Sequence, residues 1–206
     1  MSWPGRRRDL TRRDRLPRRP GGRGYRVLVL GGARSGKSVT AERLLAGRDQ
    51  VDYVATGAVP DASDPEWAAR VAIHRERRPP HWATLETRDL EGVLAAPDLS
   101  AQQLATPVLV DCLSTWLAGV MDECGLWSAA PGADQALAAR LDGLLDAWRA
   151  TRRTVVAVSS EVGSGVVPAT ASGARYRDEL GLLNTRVAAQ GQQVWLCTAG
   201  IPRRLR

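Results

Sequence analysis

Eight residues, Gly31-Gly32-Ala33-Arg34-Ser35-Gly36-Lys37-Ser38, leave this chain few folds to choose from. The apolar run Tyr25-Arg26-Val27-Leu28-Val29-Leu30 precedes them, and a helix-like stretch from Lys37 to Leu45 follows. A strand must deliver the chain to the glycine-rich turn and a helix must leave it, so that loop amides and the helix N-terminus converge on one anion. The spacing is that of a P-loop, whose lysine reaches the β and γ phosphates of ATP or GTP and whose hydroxyl reaches Mg²⁺. Gly31, Gly32, Ala33, Arg34, Ser35, Gly36, Lys37 and Ser38 are therefore candidate nucleotide contacts, with Lys37 also a catalytic candidate and Ser38 a metal ligand. Composition sharpens this reading. The 29 cationic residues are arginine everywhere except Lys37. The chain uses a compact ammonium on a flexible stem only where a P-loop requires one.

Further apolar runs at 51–55, 108–110, 154–158 and 193–197 read as buried strands of a parallel sheet. Helical patterns lie between them. In the clearest, 134–150, Leu137, Leu141, Leu144, Leu145 and Trp148 share one face, and another runs from about 176 to 189. Alternating strands and helices imply an α/β fold of the P-loop NTPase, RecA-like kind, a mostly parallel sheet flanked by helices in one domain. Asp111 ends the run Val108-Leu109-Val110, where an acid can sit beside the Mg²⁺ held by Ser38; the plainer reading is a cap on the next segment.

The net charge of +7 suggests a nucleic-acid partner until it is placed along the chain. Residues 1–24 hold nine arginines against Asp9 and Asp14, so the whole excess lies there and the body is neutral. We expect 1–24 to be a basic, unstructured extension and 25–206 a single catalytic domain. The extension has arginine pairs but no following apolar stretch, which argues against an export signal. No run is long and apolar enough for a membrane helix, so stable membrane insertion is not expected. Cys112, Cys124 and Cys197 show no pairing or metal-type spacing, which points to reduced thiols and the cytoplasm.

A second constellation spans 70–86. It holds the only two histidines, His74 and His81, among Arg70, Arg75, Arg77 and Arg78. Cations around an imidazole can hold a triphosphate while the neutral ring attacks phosphorus. By composition alone, such a histidine is more often a solvated surface residue of an Arg-rich helix. The segment Ser160-Glu161-Val162-Gly163-Ser164-Gly165 leaves two readings open, a loop over the substrate or an ordinary strand-to-helix turn.

Taken with the P-loop, the motifs Tyr53-Val54-Ala55-Thr56, His74-Arg75-Glu76-Arg77-Arg78-Pro79 with His81-Trp82, Ser160 to Pro168 and Tyr176 to Asn184 occur in order. Together they resemble the bifunctional adenosylcobinamide kinase and adenosylcobinamide-phosphate guanylyltransferase family of cobalamin synthesis. The resemblance begins near Tyr25 and runs to the C-terminus; Thr185 stands where the family pattern has Gln. It implies that ATP or GTP phosphorylates adenosylcobinamide, and that GMP then passes from GTP through a guanylylated histidine, at the position of His74, to give adenosylcobinamide-GDP. It further implies nucleotide contacts at Thr56, Gly57, Ala58, Arg75, Glu76, Arg77, Arg78, Glu86 and Asp111, Mg²⁺ at Ser38 and Asp111, and a homotrimer. The alternatives are a P-loop small-molecule kinase without guanylyl transfer, or an RNA-associated P-loop ATPase using the arginine-rich extension. The neutral body counts against the second, and no nucleic-acid partner is expected.

Overall fold

In the computed structural model, which describes Leu16 and residues 24–60, 64–96 and 98–206, the first apolar run forms β1 (Tyr25–Gly31) and α1 (Lys37–Leu44) leaves the glycine-rich loop. The chain continues through β2 (Asp52–Ala55), α2 (Pro65–Arg77), β3 (Ala83–Glu86), α3 (Leu90–Ala95), α4 (Ala101–Ala105) and β4 (Val108–Asp111). It ends with α5 (Leu113–Glu123), α6 (Ala133–Ala150), β5 (Thr154–Ser160), α7 (Ala171–Ala189), β6 (Gln193–Thr198) and β7 (Ile201–Arg204). The basic extension lies outside the described residues apart from Leu16, whose side chain is buried, and Gly24.

The strands form one sheet in the order β3-β2-β4-β5-β1-β6-β7, with only the last pair antiparallel. The expected α/β class, a mostly parallel sheet flanked by helices, is what the chain adopts. Alternation along β1 assigns the two faces. Val27 and Val29 pack with Ala41, Leu44 and Leu45 of α1 and its C-terminal end, whereas Leu28 packs with residues of α3, α5, α6 and α7. The apolar face expected on α6 is buried there in full: Leu137, Leu141, Leu144, Leu145 and Trp148. Among the described residues, no helix is long and apolar enough to cross a membrane.

Register places the site. Gly31 lies opposite Ser160 and Cys197, and Ala55 opposite Asp111, so five strands end close together at the carboxyl edge where ligands of open α/β sheets bind. Two strands and part of a helix escape the apolar pattern. All four residues of β3 are exposed, and β7 carries Pro202 and two arginines; both are edge strands made by pairing with a neighbour. The helix expected from 176 begins at Ala171, because Thr170 caps the Gly173 amide ahead of a small-residue turn that has no apolar period.

One buried charge holds the opposite end of the sheet. Arg153, 4% exposed, donates to the Thr106 carbonyl from Nε and Nη2 and pairs with Asp52. Asp52→Ala leaves that guanidinium without its counter-ion and is expected to cost about 3 kcal/mol, read as a lower midpoint in urea or thermal unfolding.

Candidate functional site

The P-loop turns on Gly36, at φ 90° in the left-handed region, with its missing Cβ facing Gly200 at 3.3 Å. Lys37 Nζ donates to the Gly32 carbonyl at 3.1 Å, and Gly200 N donates to the Ser35 carbonyl at 3.0 Å, which ties the loop to the turn after β6. The loop floors a cleft of about 720 Å³ whose opposite wall is α2. Asp64 caps α2 through the Trp67 amide and Pro65 starts it, yet none of its residues is buried. Its inner face carries Trp67, Val71 and His74 into the cleft.

Four side chains meet at the end of β4. Ser38 Oγ donates to Asp111 Oδ1 at 3.3 Å, Tyr53 OH donates to Oδ2 at 2.5 Å, and His74 Nδ1 lies 3.3 Å from Oδ2. Burial alone would raise the Asp111 carboxyl, but the hydrogen bond and charge of His74, with hydrogen bonds from Tyr53 and Ser38, hold it below the ordinary carboxylate range. Burial, then the Asp111 charge, pushes the Tyr53 phenol far above its ordinary value, so it remains a donor.

The arginines after His74 each reach a different element. Arg75 pairs with Glu86 at 2.5 Å, Arg77 with Glu42 of α1 at 2.9 Å, and the Arg78 guanidinium lies 3.6 Å over the Tyr53 ring. Arg75, Arg78, Trp82 and Glu86 line a second concavity of about 490 Å³ beside the main cleft.

The P-loop from Ala33 to Ser38, Gly57, Ala58, His74, Arg75, Arg77, Arg78, Glu86 and Asp111 all line the main cleft. Four candidates, Gly31, Gly32, Thr56 and Glu76, do not line it. Thr56 is fully buried and its hydroxyl donates to the Cys112 carbonyl at 2.7 Å, which ties β2 to the segment after β4. Glu76 is exposed and does not line the cleft. His81 is exposed and also lies outside it. Tyr53, Trp67, Ser114 and Tyr176 also line the cleft; none is a site candidate by sequence, although Tyr53 and Tyr176 open two of the motifs. The segment after Ser160 forms a strand-to-helix loop that Arg177 fastens through the Gly163 carbonyl at 3.0 Å.

Among the described residues, no cluster of three or more His, Cys, Asp and Glu side chains is arranged to hold a metal ion. The Ser38 and Asp111 oxygens instead form a partial, all-oxygen set of the kind Mg²⁺ completes with phosphate oxygens and water.

Comparison with known proteins gives this arrangement a family. Residues 27–205 match the model of a family described as cobinamide kinase / cobinamide phosphate guanyltransferase. The chain is similar to a protein of Pseudomonas aeruginosa named bifunctional adenosylcobalamin biosynthesis protein CobP, 39% identical over 184 residues, covering 88% of this chain and 97% of that one. Proteins named bifunctional adenosylcobalamin biosynthesis protein CobU are 35% identical in Escherichia coli K12 and 36% in Salmonella typhimurium LT2, each covering 85% of this chain and 96% of its own length.

Proposed function

The chain belongs to the cobinamide kinase / cobinamide phosphate guanyltransferase family, and we propose that the one cleft between P-loop and α2 carries both reactions, with His74 as the guanylylated residue. The protein is a bifunctional transferase that phosphorylates cobinamide and then guanylylates the phosphate. The observation that carries the single-cleft reading is Asp111, with one oxygen 3.3 Å from the P-loop hydroxyl and the other 3.3 Å from His74.

In the kinase step, the loop amides and Lys37 hold the triphosphate, and a substrate hydroxyl attacks the γ phosphorus. Positioning and charge neutralisation supply most of the catalysis, so the protein contributes no strong nucleophile. Mg²⁺, held by Ser38 and Asp111 Oδ1, would neutralise charge on the phosphate oxygens.

In the second step, Asp111 Oδ2 keeps the proton on Nδ1 of His74 and leaves Nε2 with its lone pair free. The Nε2–phosphorus bond forms at the α phosphate of GTP as the bond to pyrophosphate breaks, and positive charge developing on the ring is held against Asp111. The phosphate of cobinamide phosphate then attacks the same phosphorus, and the N–P electron pair returns to the ring. Arg75 and Arg78 bring guanidinium donors to the cleft for phosphate oxygens, Arg77 is held on Glu42, and Glu86, paired with Arg75, lines the same cleft. The homotrimer implied by the resemblance and the cytoplasmic location read from the cysteines belong to this proposal.

The test is to incubate the protein with α-labelled GTP and Mg²⁺, add cobinamide phosphate, and follow the label. Label that first appears on protein, acid-labile and base-stable, and then passes to cobinamide-GDP is the expected result. Product formed with no labelled protein at any time would mean direct transfer and remove the covalent step.

A further inference from the structure

α2 presents a physical problem. It carries His74 and three arginines, yet not one of its residues is buried, so hydrophobic packing does not fix where the imidazole sits. Outside the His74 contact itself, the polar ties of this segment to the P-loop side of the cleft include Arg77 to Glu42 and Arg78 over Tyr53. Glu42 differs from the rest. It lies on α1 one turn after Ser38, the side chain is 14% exposed, and it is not among the residues lining the cleft. Burial pushes its carboxyl above the ordinary range against the pull of Arg77, its nearest cation. Arg77 also lies 3.5 Å from His74 Nδ1, one helical turn away. With Glu42 holding it, Arg77 Nη2 is anchored to α1; released, its charge is free to compete with His74 for Asp111.

We propose that Glu42 is a positioning residue for guanylylation: by anchoring Arg77 to α1, it fixes α2 so that His74 stands against Asp111 beside the P-loop. This rests on the reading of His74 as the guanylylated residue. The phosphorylation step needs the P-loop and Asp111 but not α2 in this pose, so the two activities separate on loss of the anchor.

The experiment compares wild type, His74→Ala, Glu42→Gln, Arg77→Met and the Glu42→Gln/Arg77→Met double variant. Single-turnover labelling by α-labelled GTP and ATP-dependent phosphorylation of cobinamide are measured on each. For Glu42→Gln, isosteric with the native residue, labelling at saturating GTP is expected to slow about tenfold, the scale of a small misplacement of a reacting group, with phosphorylation within about twofold of wild type. The double variant is expected to label no more slowly than Arg77→Met alone, because both changes remove the same contact. Equal loss of both activities in Glu42→Gln, undiminished labelling, or additive losses in the double variant each overturn the proposal. Wild type that never labels, or labels undiminished in His74→Ala, instead removes the reading beneath it and this proposal with it.

Discussion

Replacing His74 with alanine is expected to abolish protein-bound label from α-labelled GTP, a fall of at least about a thousandfold, while phosphorylation of cobinamide changes by less than about tenfold. The asymmetry follows from the geometry around Asp111. His74 is the nucleophile of one reaction and, in the other, only a neighbour of the carboxylate whose second oxygen faces Ser38. A nucleophile has no substitute in place, because alanine offers no lone pair and the only other histidine, His81, is exposed outside the cleft. The loss of a neighbour is milder: Asp111 keeps its bonds from Tyr53 and Ser38 and stays oriented. Label that persists in His74→Ala would move the covalent step elsewhere. Equal loss of both activities would mean that His74 serves Asp111 and not phosphorus.

How far the sequence carries depends on what stabilises each part. β1, β4, β5 and β6 are read easily because both faces are buried, which demands unbroken apolar runs. β3 and β7 are not, since an edge strand is held by its partner's backbone and any exposed side chain will serve. α2 buries none of its residues, and only the motif around His74 marks it as functional. The P-loop is legible to the residue because its chemistry depends on local spacing. The Asp111 cluster is legible only in part, because it is built from β2, β4, α1 and α2, whose approach is a tertiary fact. Tyr53 illustrates the limit. It reads as one more buried strand residue, and its ring is that, but its hydroxyl reaches Asp111 and its face carries Arg78. Glu42 left a fainter signal, an acid one helical turn after the P-loop hydroxyl on the helix the loop begins.

Lys37→Arg tests the compositional argument against the structure. The chain carries 28 arginines, so a cation as such is evidently served by arginine almost everywhere. At position 37 the stem springs from the first turn of α1, and Nζ reaches back 3.1 Å from the Gly32 carbonyl inside the loop it must fill. A guanidinium there keeps the charge but is planar and broader, and a loop turned on Gly36 and pinned by Gly200 has no slack to admit the fork. The transferring phosphoryl group then loses a fixed donor aimed at the charge that develops on it. Phosphorylation of cobinamide is expected to fall about 10²- to 10³-fold, chiefly in kcat, the scale seen when one preorganised donor is removed. The melting midpoint should scarcely move, since Lys37 is only partly buried and lies in no apolar core. A raised KM for ATP with unchanged kcat would show that the ammonium binds ground and transition states alike and contributes nothing specific to the transfer.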